Sequence, residues 1–173
     1  MSCCNTLTSI SRGCENNLGG IKKAYLIHKC HVTGTTESGG TITAVSLSGG
    51  TSFVEYEFNK NTSNFVEETT ISLENGSTFF STTTTLVIPR REVSKRNSLA
   101  LITAGQPNLG IIIEDQNGIY WYQGLENGAN LTANSSESGV AKADGSKYTL
   151  TLLSEEPEAM YEVDSSIIAG LLV

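Results

Sequence analysis

Ten residues from Phe79 to Ile88, Phe-Phe-Ser followed by four threonines and Leu-Val-Ile, form a run unbroken by glycine or proline. β-Branched side chains are stiff about χ1 and fit a pleated surface, so the run predicts a long strand, which Pro89 ends. Composition points the same way. Ser and Thr occur 20 times each in 173 residues, beside 17 Gly and 13 Asn, a set that favours strands and turns over helices.

Other segments supply neighbours for that strand. Residues 21–28 read as a first strand, followed by a polar connection, 31–41, that contains Gly39-Gly40. Residues 41–47 alternate, with Ile42, Ala44 and Ser46 on one face and Val45 and Leu47 on the other. Gly49-Gly50 then predicts a turn into a hairpin partner, 53–58, which places Val54, Tyr56 and Phe58 opposite Glu55 and Glu57. After the polar stretch Asn59 to Asn64, a second β region runs through Phe65, Val66, Ile71 and Leu73 to a turn at Asn75-Gly76. One helix is predicted, over 90–104. Val93, Asn97, Ala100, Leu101 and Ala104 follow its spacing, Pro89 stands at its entry, and Gly105 and Pro107 mark its end.

The strongest hairpin signal lies further on, where 109–114 and 119–124 flank Gln116-Asn117-Gly118. A short strand at 129–133, a polar loop at 134–145 and a strand at 147–153 follow, the last with Tyr148, Leu150 and Leu152 on one face. Glu155-Glu156-Pro157-Glu158 interrupts before a last strand near 160–163. The tail, Ile167 to Val173, is apolar and requires burial in its own core or on a neighbour. The expected organisation is an irregular arm, 1–20, and a single mainly β domain, 21–173.

The chain carries 11 basic and 18 acidic residues, a net charge of −7, which disfavours gripping nucleic acid. Met1 to Thr6 lack the basic and apolar regions of a secretory signal, and no apolar run reaches membrane-spanning length, so synthesis in a cytoplasm and no membrane partner are expected. Cys3, Cys4, Cys14 and Cys30 all lie in the first 30 residues and cannot staple a whole domain. His28 and His31 flank Cys30, but without a second Cys/His pair no metal site and no cofactor are expected.

The same two histidines are the only imidazoles available to a Ser-His or Cys-His nucleophile, and no nucleophile elbow, phosphate loop or dinucleotide fingerprint is present. Glu55, Glu57, Glu67, Glu68, Glu114 and Asp115 could in principle pair as glycosidase carboxylates, yet each also reads as a solvated strand or turn acid. No enzymatic activity is expected. Tyr120-Trp121-Tyr122 admits an alternative reading, a carbohydrate-binding or adhesin-type β module stacking sugars on its aromatics; the competing reading has one face of that strand in the core.

Charge is unevenly distributed. Residues 85–105 hold Arg90, Arg91, Lys95 and Arg96 against Glu92, a net of +3, whereas 114–164 hold ten acids against Lys142 and Lys147, a net of −8. A basic helix on an acidic domain suits an acidic patch on an identical neighbour. The candidate subunit interface is therefore Arg90, Arg91, Lys95 and Arg96 with Glu155, Glu156 and Glu158.

Phe79-Phe80 with the threonine run to Ile88-Pro89-Arg90-Arg91-Glu92-Val93, then Leu101-Ile102-Thr103-Ala104-Gly105, then Ile113-Glu114-Asp115-Gln116-Asn117-Gly118-Ile119-Tyr120-Trp121, form a familiar order. With the closing Gly145 to Leu152 and Tyr161-Glu162-Val163, it resembles tail-tube-type virion structural proteins of tailed phages that infect Bacteroides-like gut bacteria, over roughly residues 18–168. The resemblance implies an antiparallel β-sandwich or small barrel with one flanking helix. It further implies a homo-oligomeric ring, a hexamer or multiple of six, that joins strand edges and forms a conduit through which DNA passes without specific binding. Other virion tail, neck or portal proteins would be its partners, and the virion its location. The cysteine-rich N-terminus has no counterpart in that pattern, and a short-tail ring component fits it as well as a long tube.

Overall fold

The computed structural model describes residues 7–59 and 61–172. Cys3 and Cys4 lie outside the described residues. Residues 7–20 carry no helix or strand, and Leu7 and Ile10 on this arm are almost fully exposed.

The protein is mainly β, with a mixed sheet that is open rather than closed. Its strands are β1 (Ile21–His28), β2 (Val32–Ser38), β3 (Thr41–Leu47), β4 (Val54–Glu57), β5 (Asn64–Ser72), β6 (Ser77–Pro89), β7 (Leu109–Asp115), β8 (Tyr120–Gln123), β9 (Ala129–Glu137), β10 (Lys147–Glu156) and β11 (Tyr161–Val163). Helix α1 (Val93–Thr103) lies between β6 and β7, and α2 (Ser165–Leu171) follows β11. The main path runs β2-β3-β11-β8-β7-β9-β10-β6-β5, while β1 pairs with β7 and β4. Only β11 and β3 pair in parallel among the named strands.

The threonine run is the long strand expected. It takes β10 on one edge, from Lys147 opposite Pro89 to Glu156 opposite Phe80, and β5 on the other. The Asn117-Gly118 turn closes the β7–β8 hairpin: the Asp115 carboxylate accepts the backbone N–H groups of Asn117 and Ile119, and Gly118 has φ 81°. Alternation along β10 buries Tyr148, Leu150 and Leu152 as expected, and continues through Ser154 to Glu156.

Two hydrophobic clusters hold the strands together. The first joins β1, β6, β7 and β10 through Leu26, Leu86, Ile111, Ile113 and Leu150, with Leu99 and Ile102 of α1. The second lies on the other side of β1 and β7, where Tyr25, Ile27, Ile112 and Tyr122 meet Ile42, Phe53, Val163 and the helix residues Ile168 and Leu171. With apolar partners on both faces, β7 is buried from Leu109 to Glu114. Gly110 sits where a Cβ would come within 2.6 Å of the Tyr122 hydroxyl, so only glycine admits that ring.

Several sequence expectations are corrected. Residues 32–38, read as a polar connection, form β2, because the Gly39-Gly40 turn folds them back onto β3. A register shift opposite Thr43 rephases β3, so Ile42, Val45 and Leu47 all reach the second cluster instead of opposite faces. The segment after Gly49-Gly50 does not pair with β3; β4 pairs with β1, and Phe53 bridges to Leu172. Strand β9 continues to Glu137, so the polar loop begins later than residue 134. Helix α1 is shorter than 90–104 and turns Leu99 and Ile102 inward, leaving Val93 and Leu101 exposed. A second helix, α2, was not foreseen. It takes the apolar tail into the second cluster, with Asp164 capping its N-terminus through Ser166 N–H.

Candidate subunit interface

The four basic residues gather where β6 turns into α1. Pro89 ends the strand, and Arg90 then adopts φ 60°, a left-handed conformation unusual for a residue with a Cβ. Neighbours hold this turn. Arg90 N–H donates to the Ser146 carbonyl at 2.7 Å, Arg91 N–H to the Ser146 hydroxyl at 3.2 Å, and the Lys95 ammonium to the Pro89 carbonyl at 2.6 Å. Arg90 pairs with Glu92 at 3.0 Å, yet its side chain remains 81% exposed. The Arg91 guanidinium lies 5.9 Å from the centre of the Tyr148 ring, within cation–π range. Arg96 donates to Asn97 on the helix surface.

Between α1 and the β9–β10 pair runs an open groove of about 640 Å³ lined by Arg91, Arg96, Tyr148, Asn134 and Ser136. Tyr148 and Ser146 are the partners that sequence reasoning missed. Their link to the arginines exists only through the register that sets Lys147 opposite Pro89.

The acidic half of the candidate set lies at the other end of β10. Glu155 and Glu156 stand opposite Ser81 and Phe80, eight and nine positions from Lys147, which is roughly 30 Å of strand. The protein therefore does not bring Arg90, Arg91, Lys95 and Arg96 together with Glu155, Glu156 and Glu158 within one copy. Glu156 is further corrected from a surface acid to a buried one, 9% exposed. Its carboxylate accepts the backbone N–H groups of Glu126 and Asn127 at 3.1 Å each, and burial raises its pKa despite those bonds. Glu155 and Glu158 sit beside it; the Glu155 carbonyl accepts from the Asn127 amide, and the Glu158 carboxylate accepts from the Tyr161 hydroxyl.

The other candidate chemistries are distributed as follows. His31 Nδ1 lies 3.2 Å from the Ser48 hydroxyl, itself held in a turn by Thr51, and the His28 ring stands edge-on at 6.2 Å; no carboxylate bond orients His31 among the described residues. Cys14 and Cys30 are exposed thiols, and no group of three or more His, Cys, Asp or Glu could hold a metal among the described residues. Of the six carboxylates, Glu114 is buried against Lys22 at 2.5 Å, Glu55 pairs with Lys23 at 2.5 Å, Glu67 accepts Met160 N–H, and Asp115 braces its turn. Tyr120 and Tyr122 face the second cluster, the latter edge-on to Phe53, while Trp121 projects from the opposite face and donates to Asp115 at 3.4 Å.

Comparison with protein-family models, with curated proteins and with solved structures returned no match.

Proposed function

We propose that this chain is a ring-forming virion structural protein of a tailed phage, a tail-tube or head-to-tail component whose copies build a conduit for DNA. The observation that carries this reading is the polarity of β10. Its Lys147 end adjoins Arg90, Arg91, Lys95 and Arg96, and its other end carries Glu155, with Glu158 in the turn that follows. Complementary patches at opposite ends of one molecule suit a heterologous contact, in which the basic end of one copy meets the acidic end of the next. Lys95 is held within the chain by Glu92 and the Pro89 carbonyl, whereas Arg91 and Arg96 of this end carry no ion pair among the described residues and are open to a counter-charge from a neighbour.

Backbone edges support the same reading. Strands β2 and β5 end the strand order, and each offers a free edge that a neighbouring copy can extend. Exposed ion pairs contribute only about 0 to 1 kcal/mol each, so edge pairing and apolar burial supply most of the assembly energy. On this reading the fold is a β-sandwich: β1 and β7 form one layer, β6 and β10 the other, and the first cluster fills the space between. A net charge of −7 gives DNA a weakly repelling path and few phosphate contacts to stall it.

The test is electron microscopy with sedimentation velocity on the purified chain. Rings or short stacks are expected, and Arg91→Glu with Arg96→Glu should weaken them while leaving the monomer folded. Assembly unaltered by that reversal at low and moderate salt would show the helix facing solvent. A monodisperse monomer that binds glycans, and loses them on Trp121→Ala, would replace this reading with the carbohydrate-binding one.

A further inference from the structure

Asparagine followed by glycine occurs three times, at Asn75-Gly76, Asn117-Gly118 and Asn127-Gly128. Such a pair can react with itself: the glycine's backbone nitrogen, once a base in solvent has taken its proton, attacks the side-chain Cγ of the asparagine. Glycine permits the approach because no Cβ stands in the way. In an unfolded chain the three pairs are nearly equivalent, each preceded by Glu or Gln. The fold makes them different.

At Asn117 both reacting groups are held. Its Oδ1 accepts Leu18 N–H at 2.8 Å, its Nδ2 donates to the Leu18 carbonyl at 3.0 Å, and Gly118 N–H donates to the Asp115 carbonyl at 3.1 Å. Asn127 donates its Nδ2 to the Glu155 carbonyl at 2.7 Å and its own N–H to Glu156, while Gly128 is buried where a Cβ would come within 2.8 Å of Asn108. Turning either carboxamide onto its glycine costs these bonds. Asn75 has no such restraint. It and Gly76 are exposed in the turn that joins β5 to β6, and a Cβ on Gly76 would meet nothing within 4 Å. Among the described residues the pair's one hydrogen bond runs from Asn75 N–H to the Ser72 hydroxyl at 3.4 Å, which leaves the carboxamide and Gly76 N–H free.

We propose that Asn75 is a modification site of this chain, deamidated in the folded protein through a succinimide formed with Gly76. The bond from Gly76 N to Asn75 Cγ forms, the Cγ–Nδ2 bond breaks, and the nitrogen leaves as ammonia after taking a proton from water. Water then opens the ring at either carbonyl, giving an aspartyl residue or an isoaspartyl linkage. The balance is one water consumed and one ammonia released, with no oxidant or reductant. Either product adds a negative charge beside Glu74, and the isoaspartyl form lengthens the backbone of the turn that sets Ser72 opposite Ser77. This chemistry is independent of whether copies assemble.

The test ages the intact chain at mildly alkaline pH in heavy-oxygen water, then maps its peptides by mass spectrometry, the label marking sites hydrolysed during ageing. Conversion at Asn75 is expected to be about tenfold or more faster than at Asn117 or Asn127, whose reaction waits on local opening. In concentrated urea the three rates should converge. Equal rates in the folded chain overturn the proposal, as does a lead of Asn75 that persists in urea, which would place the preference in local sequence. Asn75→Gln should remove the acidic species that ageing produces on ion exchange and leave the melting temperature unchanged; an acidic species that persists in this variant would place the new charge elsewhere and overturn the assignment.

Discussion

Thr84 donates its hydroxyl to the side-chain carbonyl of Gln123 at 2.6 Å, and both residues are fully buried. The two belong to β6 and β8, which three other strands separate in the sheet order. Gln123 completes the joint by donating its amide to the Thr82 carbonyl at 2.9 Å. One glutamine thus ties together strands that share no ladder. Gln123→Leu leaves the Thr84 hydroxyl and the Thr82 carbonyl without that partner and is expected to cost about 1–3 kcal/mol in chemical denaturation. Adding Thr84→Val should cost less than the sum of the two single changes, the signature of direct coupling in a double-mutant cycle.

The inward face of α1 is a second point of decision. Leu99→Ala or Ile102→Ala should destabilise by about 2–5 kcal/mol, because each empties a site in the first cluster. Leu101→Ala, on the exposed face, should stay within about 0.5 kcal/mol. Equal losses at Leu101 and Leu99 in urea melts would show the helix rotated from the position described.

The C-terminal tail acts as part of the core. Phe53 N–H donates to the Leu171 carbonyl at 2.8 Å, and Leu171 is itself buried. Leu171→Ala is expected to cost about 2–5 kcal/mol and to loosen Phe53, visible as faster amide exchange there.

Glu156 predicts a pH dependence. Burial places its folded pKa above the ordinary carboxylate range, so ionisation is easier in the unfolded chain. Its contribution is therefore fully present below the unfolded value of about 4.3 and is lost as pH rises from there through the folded pKa. The stability difference between the protein and Glu156→Gln should change across that interval and level off above it. A difference that instead grows in favour of the protein with rising pH would place the Glu156 pKa on the other side of its usual value.

Local chemistry determined much of the secondary structure. The bounds of β1 and β3, the alternation of Tyr148, Leu150 and Leu152, and the Asn117-Gly118 hairpin follow from side-chain stiffness, period-two patterning and turn geometry, which act over a few residues. Which strand pairs with which was decided only in three dimensions. Val32–Ser38 is too polar and too exposed to declare itself as a strand, and exists because β3 supplies its ladder. The segment of Val54 reads as a hairpin partner of β3, yet it pairs with β1 while Phe53 lies against α2. Helix α1 has apolar residues on more than one face, so packing against Ile88 and Tyr148 in the first cluster selected Leu99 and Ile102. The seven residues of α2 are too few for a period to show. Glu156 lies among acids that resemble a solvated turn, and its burial depends on backbone N–H groups 29 and 30 residues away in sequence. Contacts of that separation carry no local signature, because the atoms that satisfy the carboxylate come together only when β8, β9 and β10 are in place.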